Sequence, residues 1–368
     1  MPQNNRPYRA DHVGSLLRPE SVKTARADLK AGKISAADLK AVEDAEIKRV
    51  IKKQEDVGLQ GITDGEFRRS WWHLDFLWGL DGAEKYEMQQ GAQFAGMKTR
   101  AEGARIISKV GFSNHPMLDH FKFLKDNTTR TPKMTIPSPS AFYGRTGRES
   151  VSKEAYPKLE DFFADLGRAY AKALKGFYDA GCRYIQLDEV FLAALCDPKY
   201  RAKQIAQGDN PDAIGEIYGD LINQAMSEVP ADMTVTMHLC RGNYRSTHMA
   251  EGGYEPVAKI LFDRIKVRGY FMEYDSERAG GFEPLRHVQK DRRIVLGLIT
   301  TKTGELESRD TLLRKIEQAA KFAPLDQLCL SPQCGFASDE GGNTLAEEEQ
   351  WTKLRLCVDV AKEVWGEV

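Results

Sequence analysis

No stretch of about 18 consecutive apolar residues occurs in this 368-residue sequence, which argues against a membrane-spanning helix. Charge of one sign is also lacking. The 53 lysines and arginines face 54 acidic residues, for a formal net charge of −1. A balance this even argues against nucleic acid or an anionic membrane as a partner, since both need a basic excess. Met1 to Arg9 is polar and without the apolar run of a secretory signal, so a cytoplasmic location is expected. No Gly-x-Gly-x-x-Gly follows an early strand, which weakens a dinucleotide-binding reading. No internal repeat or Pro/Ser linker divides the chain, so one domain over residues 1–368 is expected. Cysteine is scarce, at six residues. Cys182, Cys196, Cys329 and Cys357 lie beside Leu, Tyr, Ile or Val and read as small buried apolar residues. Cys240 and Cys334 stand in more polar company.

What is present is an alternation of short β-rich runs with long amphipathic helices, the pattern of a parallel α/β fold. Eight runs end in polar or glycine-rich residues: Asp11–Ser15, Gly61–Glu66, Lys133–Ser138, Tyr184–Glu189, Thr234–Cys240, Tyr270–Asp275, Ile294–Thr300 and Gln327–Cys334. A helix over Ser35–Val57 opens on Ser35 with Asp38 three positions on, a variant of the capping box. Another over Pro157–Ala180 carries Leu159, Phe162, Phe163, Leu166, Tyr170, Leu174 and Phe177 at helical spacing, and Gly181 stops it. Eight such units predict a (β/α)8 barrel, with an open doubly wound sheet as the alternative. Residues 71–127 are long for one connection. They read as an insertion over the barrel mouth, with an extra hairpin at Ala104–Phe112.

In a barrel of this type the carboxyl ends of the strands form the active face. Polar residues gather there: His12 and Ser15, Asp64 and Glu66, Asp188 and Glu189, His238 and Cys240, Glu273 and Asp275, and Cys334. In a strand, positions i and i+2 share a side, so the His238 imidazole and Cys240 thiol converge as half of a metal site. Cys334 is followed by Gly335, which lets the backbone turn directly after the sulfur. Glu273 ends a strongly apolar strand, where a carboxylate is costly unless paired, hydrogen-bonded or coordinated. Two thiolates, an imidazole and a carboxylate suit tetrahedral Zn2+ rather than Mg2+ or Ca2+.

The segments Asp11-His-Val-Gly-Ser15, Asp64-Gly-Glu66, Ile185-Gln-Leu-Asp-Glu189, His238-Leu-Cys240, Glu273 and Pro332-Gln-Cys-Gly335 recur in the order found in one family. Along nearly its whole length the chain resembles the C-terminal catalytic barrel of cobalamin-independent methionine synthase, specifically its short, single-barrel members. The resemblance implies zinc held by His238, Cys240, Glu273 and Cys334. It implies homocysteine held by Val13, Gly14 and Ser15 through backbone and hydroxyl, and by Glu66 and Asp188. Two carboxylates and a serine at neighbouring strand ends also suit an α-amino group on chemical grounds. An ion pair of Glu66 with Arg68 or Arg69 is its structural alternative, and a barrel-mouth hydrogen bond that of Asp188.

The donor half departs from the family. Its proton-donating histidine corresponds most nearly to Lys302, its folate-holding glutamate to Ala194, and its folate-stacking tryptophan falls near Tyr143. Trp71, Trp72, His73 and Trp78 offer an aromatic wall for a donor, or packing for the insertion. Lys302 or His248 would protonate the donor's leaving group. The expected partners are thus a small-molecule thiol, homocysteine, and a methyl donor for which 5-methyltetrahydrofolate is in doubt. A homo-oligomer is compatible with this sequence. Two other functions compete. An alkyltransferase for another thiol, such as one joining coenzyme M to an epoxide, would replace the amino-group carboxylates by basic residues. A non-catalytic binding protein would use zinc only for stability.

Overall fold

A computed structural model describes residues 6–206 and 208–368; the first five residues of the polar Met1–Arg9 stretch lie outside it. Six parallel strands run in sequential order: Met134–Pro137, Tyr184–Glu189, Thr234–Leu239, Gly269–Glu273, Arg293–Ile299 and Leu328–Pro332. At one edge Ala10 bridges Leu330 in parallel. At the other, Gly61–Ile62 pairs in parallel with Thr131–Pro132, the lead-in to Met134–Pro137. The two edges meet where Leu16 N donates to Gly65 O at 3.0 Å and Thr63 Oγ1 donates to Gly14 O at 2.7 Å. Eight parallel positions thereby close into a (β/α)8-type barrel. Almost every strand residue is buried, because helices cover the outside and side chains fill the inside.

The first two predicted strands differ from expectation. Only Ala10 makes a bridge, and the second strand is confined to Gly61–Ile62. Gly14 at φ 133°, Gly65 at 66° and Glu66 at 62° take the backbone out of the extended region before a longer ladder can form. A Cβ on Gly14 would lie 2.7 Å from Thr135 Cγ2, so the chain passes too close to the next strand for any side chain.

The helices follow their sequence signals. Ala36–Val57 is capped by Ser35, which accepts from Asp38 N while the Asp38 carboxylate accepts from Ser35 N. Leu159–Asp179 buries Phe162, Leu166, Tyr170, Leu174 and Phe177, and Gly181 follows it at φ 101°. Within residues 71–127, Glu102–Gly111 is not a hairpin by itself but the return strand of a long one, antiparallel to Asp81–Glu87. A smaller hairpin, Gln93–Phe94 with Met97–Lys98, forms its tip. The tip reaches across the barrel mouth: Ala95 N donates to His248 O at 2.8 Å and the Phe94 ring meets Tyr244 at 5.6 Å.

Cys182, Cys196, Cys329 and Cys357 are buried and free, and burial pushes each thiol up. Low in the barrel the ammonium of Lys133 meets Asp11 Oδ1 at 3.0 Å and His12 O at 2.5 Å, with both side chains fully buried. No described helix is long and apolar enough to cross a membrane.

Candidate active site

The strand Thr234–Leu239 delivers His238 at its end and Cys240 immediately after it, while Cys334 follows the last strand, Leu328–Pro332. Their ligating atoms all lie within 4.8 Å of one another, and all three residues are buried. His238 Nε2 lies 3.4 Å from Cys334 Sγ. A hydrogen bond from Cys334 first, and the His238 charge after it, hold Cys240 well below the ordinary thiol range. The same bond pushes Cys334 up. Burial works against a charged His238, yet Cys240 beside it raises its pKa overall. One thiolate poised between an imidazole and a second thiol is a donor set that fits Zn2+.

Glu273 stands outside this three-residue group. It ends its strand fully buried, its Oε2 accepts Arg241 N–H at 2.6 Å, and its Oε1 pairs with Arg278. Burial alone would raise its pKa. The charges of Lys302, Arg241 and Arg278 outweigh that and bring it to about 2.

A cavity of about 980 Å3 opens onto the cluster. It brings Val13, Ser15, Glu66, Tyr143 and Asp188 together with His238, Cys240 and Cys334, but Gly14, His248, Glu273 and Lys302 do not line it. The Glu66 Oε1 accepts Thr135 Oγ1 at 2.9 Å and pairs with Arg69 at 3.4 Å. Its Oε2 is buried with no hydrogen-bond partner among the described residues. Arg68 turns away to Glu43 and Asp44. Glu66 also holds a left-handed backbone, which costs about 1–3 kcal/mol and is typical of binding sites. Asp188 Oδ1 accepts Gln186 Nε2 at 2.7 Å. Burial lifts this carboxyl to about 7; His238 opposes the shift and Glu66 adds to it.

Ser15 is locked to the Cys334 loop, for its Oγ accepts Ala337 N at 3.3 Å and its carbonyl accepts Phe336 N at 2.9 Å. The backbone bends at Cys334 as expected, but Gly335 does so without entering the left-handed region. A Cβ there would fall 1.9 Å from Ser15 Oγ, so close approach is what demands glycine. Glu189 and His12, although at strand ends, face inward to structural partners. Glu189 accepts from Ser138, Ser140 and the N–H groups of Phe191 and Leu192, and His12 Nε2 meets Gly61 O at 3.0 Å.

On the donor side Tyr143 sets its ring edge-on to Phe163 at 5.2 Å, and Ala194 is fully buried. Lys302 is 8% exposed with no partner for Nζ, and its charge acts on Glu273 and Cys334. His248 bonds Glu251 at 3.3 Å away from the cavity. Trp71, Trp72 and His73 line the cavity, whereas Trp78 bonds Gly103 O and packs under Lys85. Sequence reasoning missed Gln186 and Thr135. Gln186 sits two positions before Asp188, and the period of two along a strand placed it on the same side.

A parallel barrel with a His-Cys-Cys cluster at the carboxyl ends of its strands defines a barrel enzyme with a site competent for a metal. The chain belongs to the family described as cobalamin-independent synthase, catalytic domain, whose model matches residues 10–363. It is 50% identical to the uncharacterized Bacillus subtilis protein YxjH, over 99% of this chain and 96% of that one. A Pyrococcus abyssi methionine synthase is 25% identical over 88% and 85% of the two chains. Among solved structures, a Listeria monocytogenes chain described as a candidate vitamin-B12-independent methionine synthase superposes with a TM-score of 0.80 at 41% identity. That match covers 98% of this chain and 99% of the other. Family and fold together make this a methyltransferase-type enzyme.

Proposed function

We propose that the chain transfers a methyl group to the thiol of homocysteine, giving methionine, with Zn2+ held by His238, Cys240 and Cys334, and by Glu273 as fourth ligand once its carboxylate gives up Arg278. One observation carries the reading: the metal-competent cluster and the unpartnered Glu66 Oε2 line the same cavity. When bound, Zn2+ supplies a Lewis acid that favours the thiolate form of a substrate thiol at neutral pH. The protein's own groups do the rest. Glu66 and Asp188 receive the α-amino group, whose positive charge offsets the burial that now holds Asp188 near neutrality. Ser15 and the backbone of Val13 and Gly14 orient the amino-acid tail. The cavity then presents the sulfur to an electrophilic methyl carbon; the new S–C bond forms as the bond to the donor breaks. The donor leaves with the bonding electron pair; Lys302 and His248 both lie outside the cavity, so this reading takes the donor's proton from solvent.

The donor in this reading is one needing no pterin pocket, because Tyr143 is packed on Phe163 and Ala194 offers no carboxylate. The test incubates zinc-loaded protein with homocysteine and a panel of methyl donors, and follows methionine by mass spectrometry. Methionine from at least one donor is expected. Its absence with every donor, beside alkylation of a different thiol, would replace homocysteine as the substrate.

A further inference from the structure

The cavity holds two cationic or hydrogen-bonding groups that the thiol chemistry above does not use. His73 is 2% exposed, lies against the Trp72 ring at 4.4 Å and the Trp71 ring at 5.8 Å, and leaves its Nδ1 buried with no partner. Arg145 lies 5.6 Å from the Trp71 ring; its Nη2 donates only to the carbonyl of Glu102 at 3.0 Å, and its Nε is buried without an acceptor. Both residues line the cavity. Among the described residues no carboxylate pairs with Arg145. The nearest candidate, Glu102, is already occupied by Lys85, Arg100 and the Trp71 Nε1.

Arg145 is half-buried, and a guanidinium drawn partly out of water without an ion-pair partner is costly, since such charges are normally paired. Burial brings Arg145 down to about 10, against the opposing pull of Tyr86 and Glu102, so it remains charged at neutral pH. Burial first and the Arg145 charge second hold His73 well below the ordinary histidine range, which leaves a neutral ring able to donate one N–H. The neighbouring Arg148 is different, since its guanidinium is engaged by Val151 O and Tyr156 O. The outer rim does not define a charge preference, because Lys199 and Lys203 share it with Glu149 and Asp209. Of the other carboxylates lining the cavity, Glu66 and Asp188 belong to the thiol end, and the buried Asp197 is already engaged by the N–H groups of Lys199 and Glu251.

We propose that Arg145 and His73 form an anion-binding subsite that takes a carboxylate or phosphate group of the co-substrate. The proposal rests on the reading of this cavity as the transfer site and narrows the donor to molecules carrying such a group. Arg145 would give a paired, charge-assisted contact and His73 a single N–H, with Trp71 and Trp72 packing beside the anion. An anion on Arg145 and His73 leaves Glu66 and Asp188 to the amino group of the thiol substrate, so thiol and co-substrate would occupy the cavity together.

The zinc-loaded full chain is titrated at low ionic strength with inorganic phosphate and, separately, with acetate, followed by calorimetry and tryptophan fluorescence. Saturable binding of at least one anion is expected, and the preferred one distinguishes a phosphate from a carboxylate donor. Arg145→Gln should weaken it at least ten-fold, and His73→Phe, which keeps a ring against Trp72, by several-fold. Homocysteine added to saturation should leave the anion bound. Neither anion binding to the wild type, or equal binding by Arg145→Gln, overturns the subsite. If Arg145→Gln fails to fold, unchanged affinity in His73→Phe does the same. Mutual exclusion with homocysteine would assign the anion to the thiol substrate and overturn the co-substrate role. Because these readouts need no turnover, loss of methionine formation with anion binding intact would remove the proposed reaction and leave the subsite standing.

Discussion

The Nε2 of His238 lies 3.4 Å from the sulfur of Cys334, although 96 residues separate them in the chain. That distance follows from barrel closure. The strands Thr234–Leu239 and Leu328–Pro332 are not neighbours in the sheet, where two other strands stand between them, yet their carboxyl ends bring His238, Cys240 and Cys334 together.

The cluster should hold one zinc per chain. Cys240→Ser and Cys334→Ser should each lose the metal while the far-ultraviolet circular dichroism stays barrel-like, since a large apolar core does not rely on one ion. Metal content by mass spectrometry checks this. Full retention of zinc in both variants would dissolve the assignment.

Glu66→Gln and Asp188→Asn should raise the homocysteine requirement without emptying the metal site. Losing one charge-assisted hydrogen bond costs about 1.5–3 kcal/mol, or roughly ten-fold to over a hundred-fold in affinity. Calorimetric titration of homocysteine gives the answer, and equal affinity in both variants would point to another thiol.

Lys133→Met should destabilise the barrel by about 3–5 kcal/mol, because it leaves the fully buried Asp11 carboxylate without its ammonium. Chemical unfolding in urea measures the loss. A change below about 1 kcal/mol would show that Tyr184, which also donates to Asp11, suffices.

Acid should weaken the fold through His12. Burial first, then Lys133, lowers its pKa from 6.5 to about 4. The folded state therefore binds fewer protons than the unfolded chain between those values. The contribution is whole above about 6.5 and is lost as pH falls toward 4, amounting to about 3 kcal/mol below that point. His12→Gln, which keeps a donor toward Gly61 O, should flatten the stability profile between pH 6.5 and 4 relative to wild type. Parallel profiles would assign the acid sensitivity elsewhere.

The sequence by itself determined the six longer barrel strands, the principal helices and the His238/Cys240 pair, because these are written in local periods of two and 3.6 residues and in capping signals. The motif order determined the family as well. Tertiary structure decided what local pattern does not encode. The first two strands were cut short by Gly14, Gly65 and Glu66, whose backbone angles answer to the adjacent Thr135 and the mouth of the barrel. Glycine at 335 is required by the close approach of Ser15, far away in the chain, rather than by a left-handed backbone. Glu273 met Arg278 and the Arg241 N–H, and Glu66 met Arg69, because a carboxylate's partner depends on which loop folds over it. Among the described residues, Arg145 without an ion-pair partner and the orphaned nitrogen of His73 are features of the closed cavity. Desolvation, which turns a charge without a partner into a signal, is a property of the closed structure and not of any stretch of sequence.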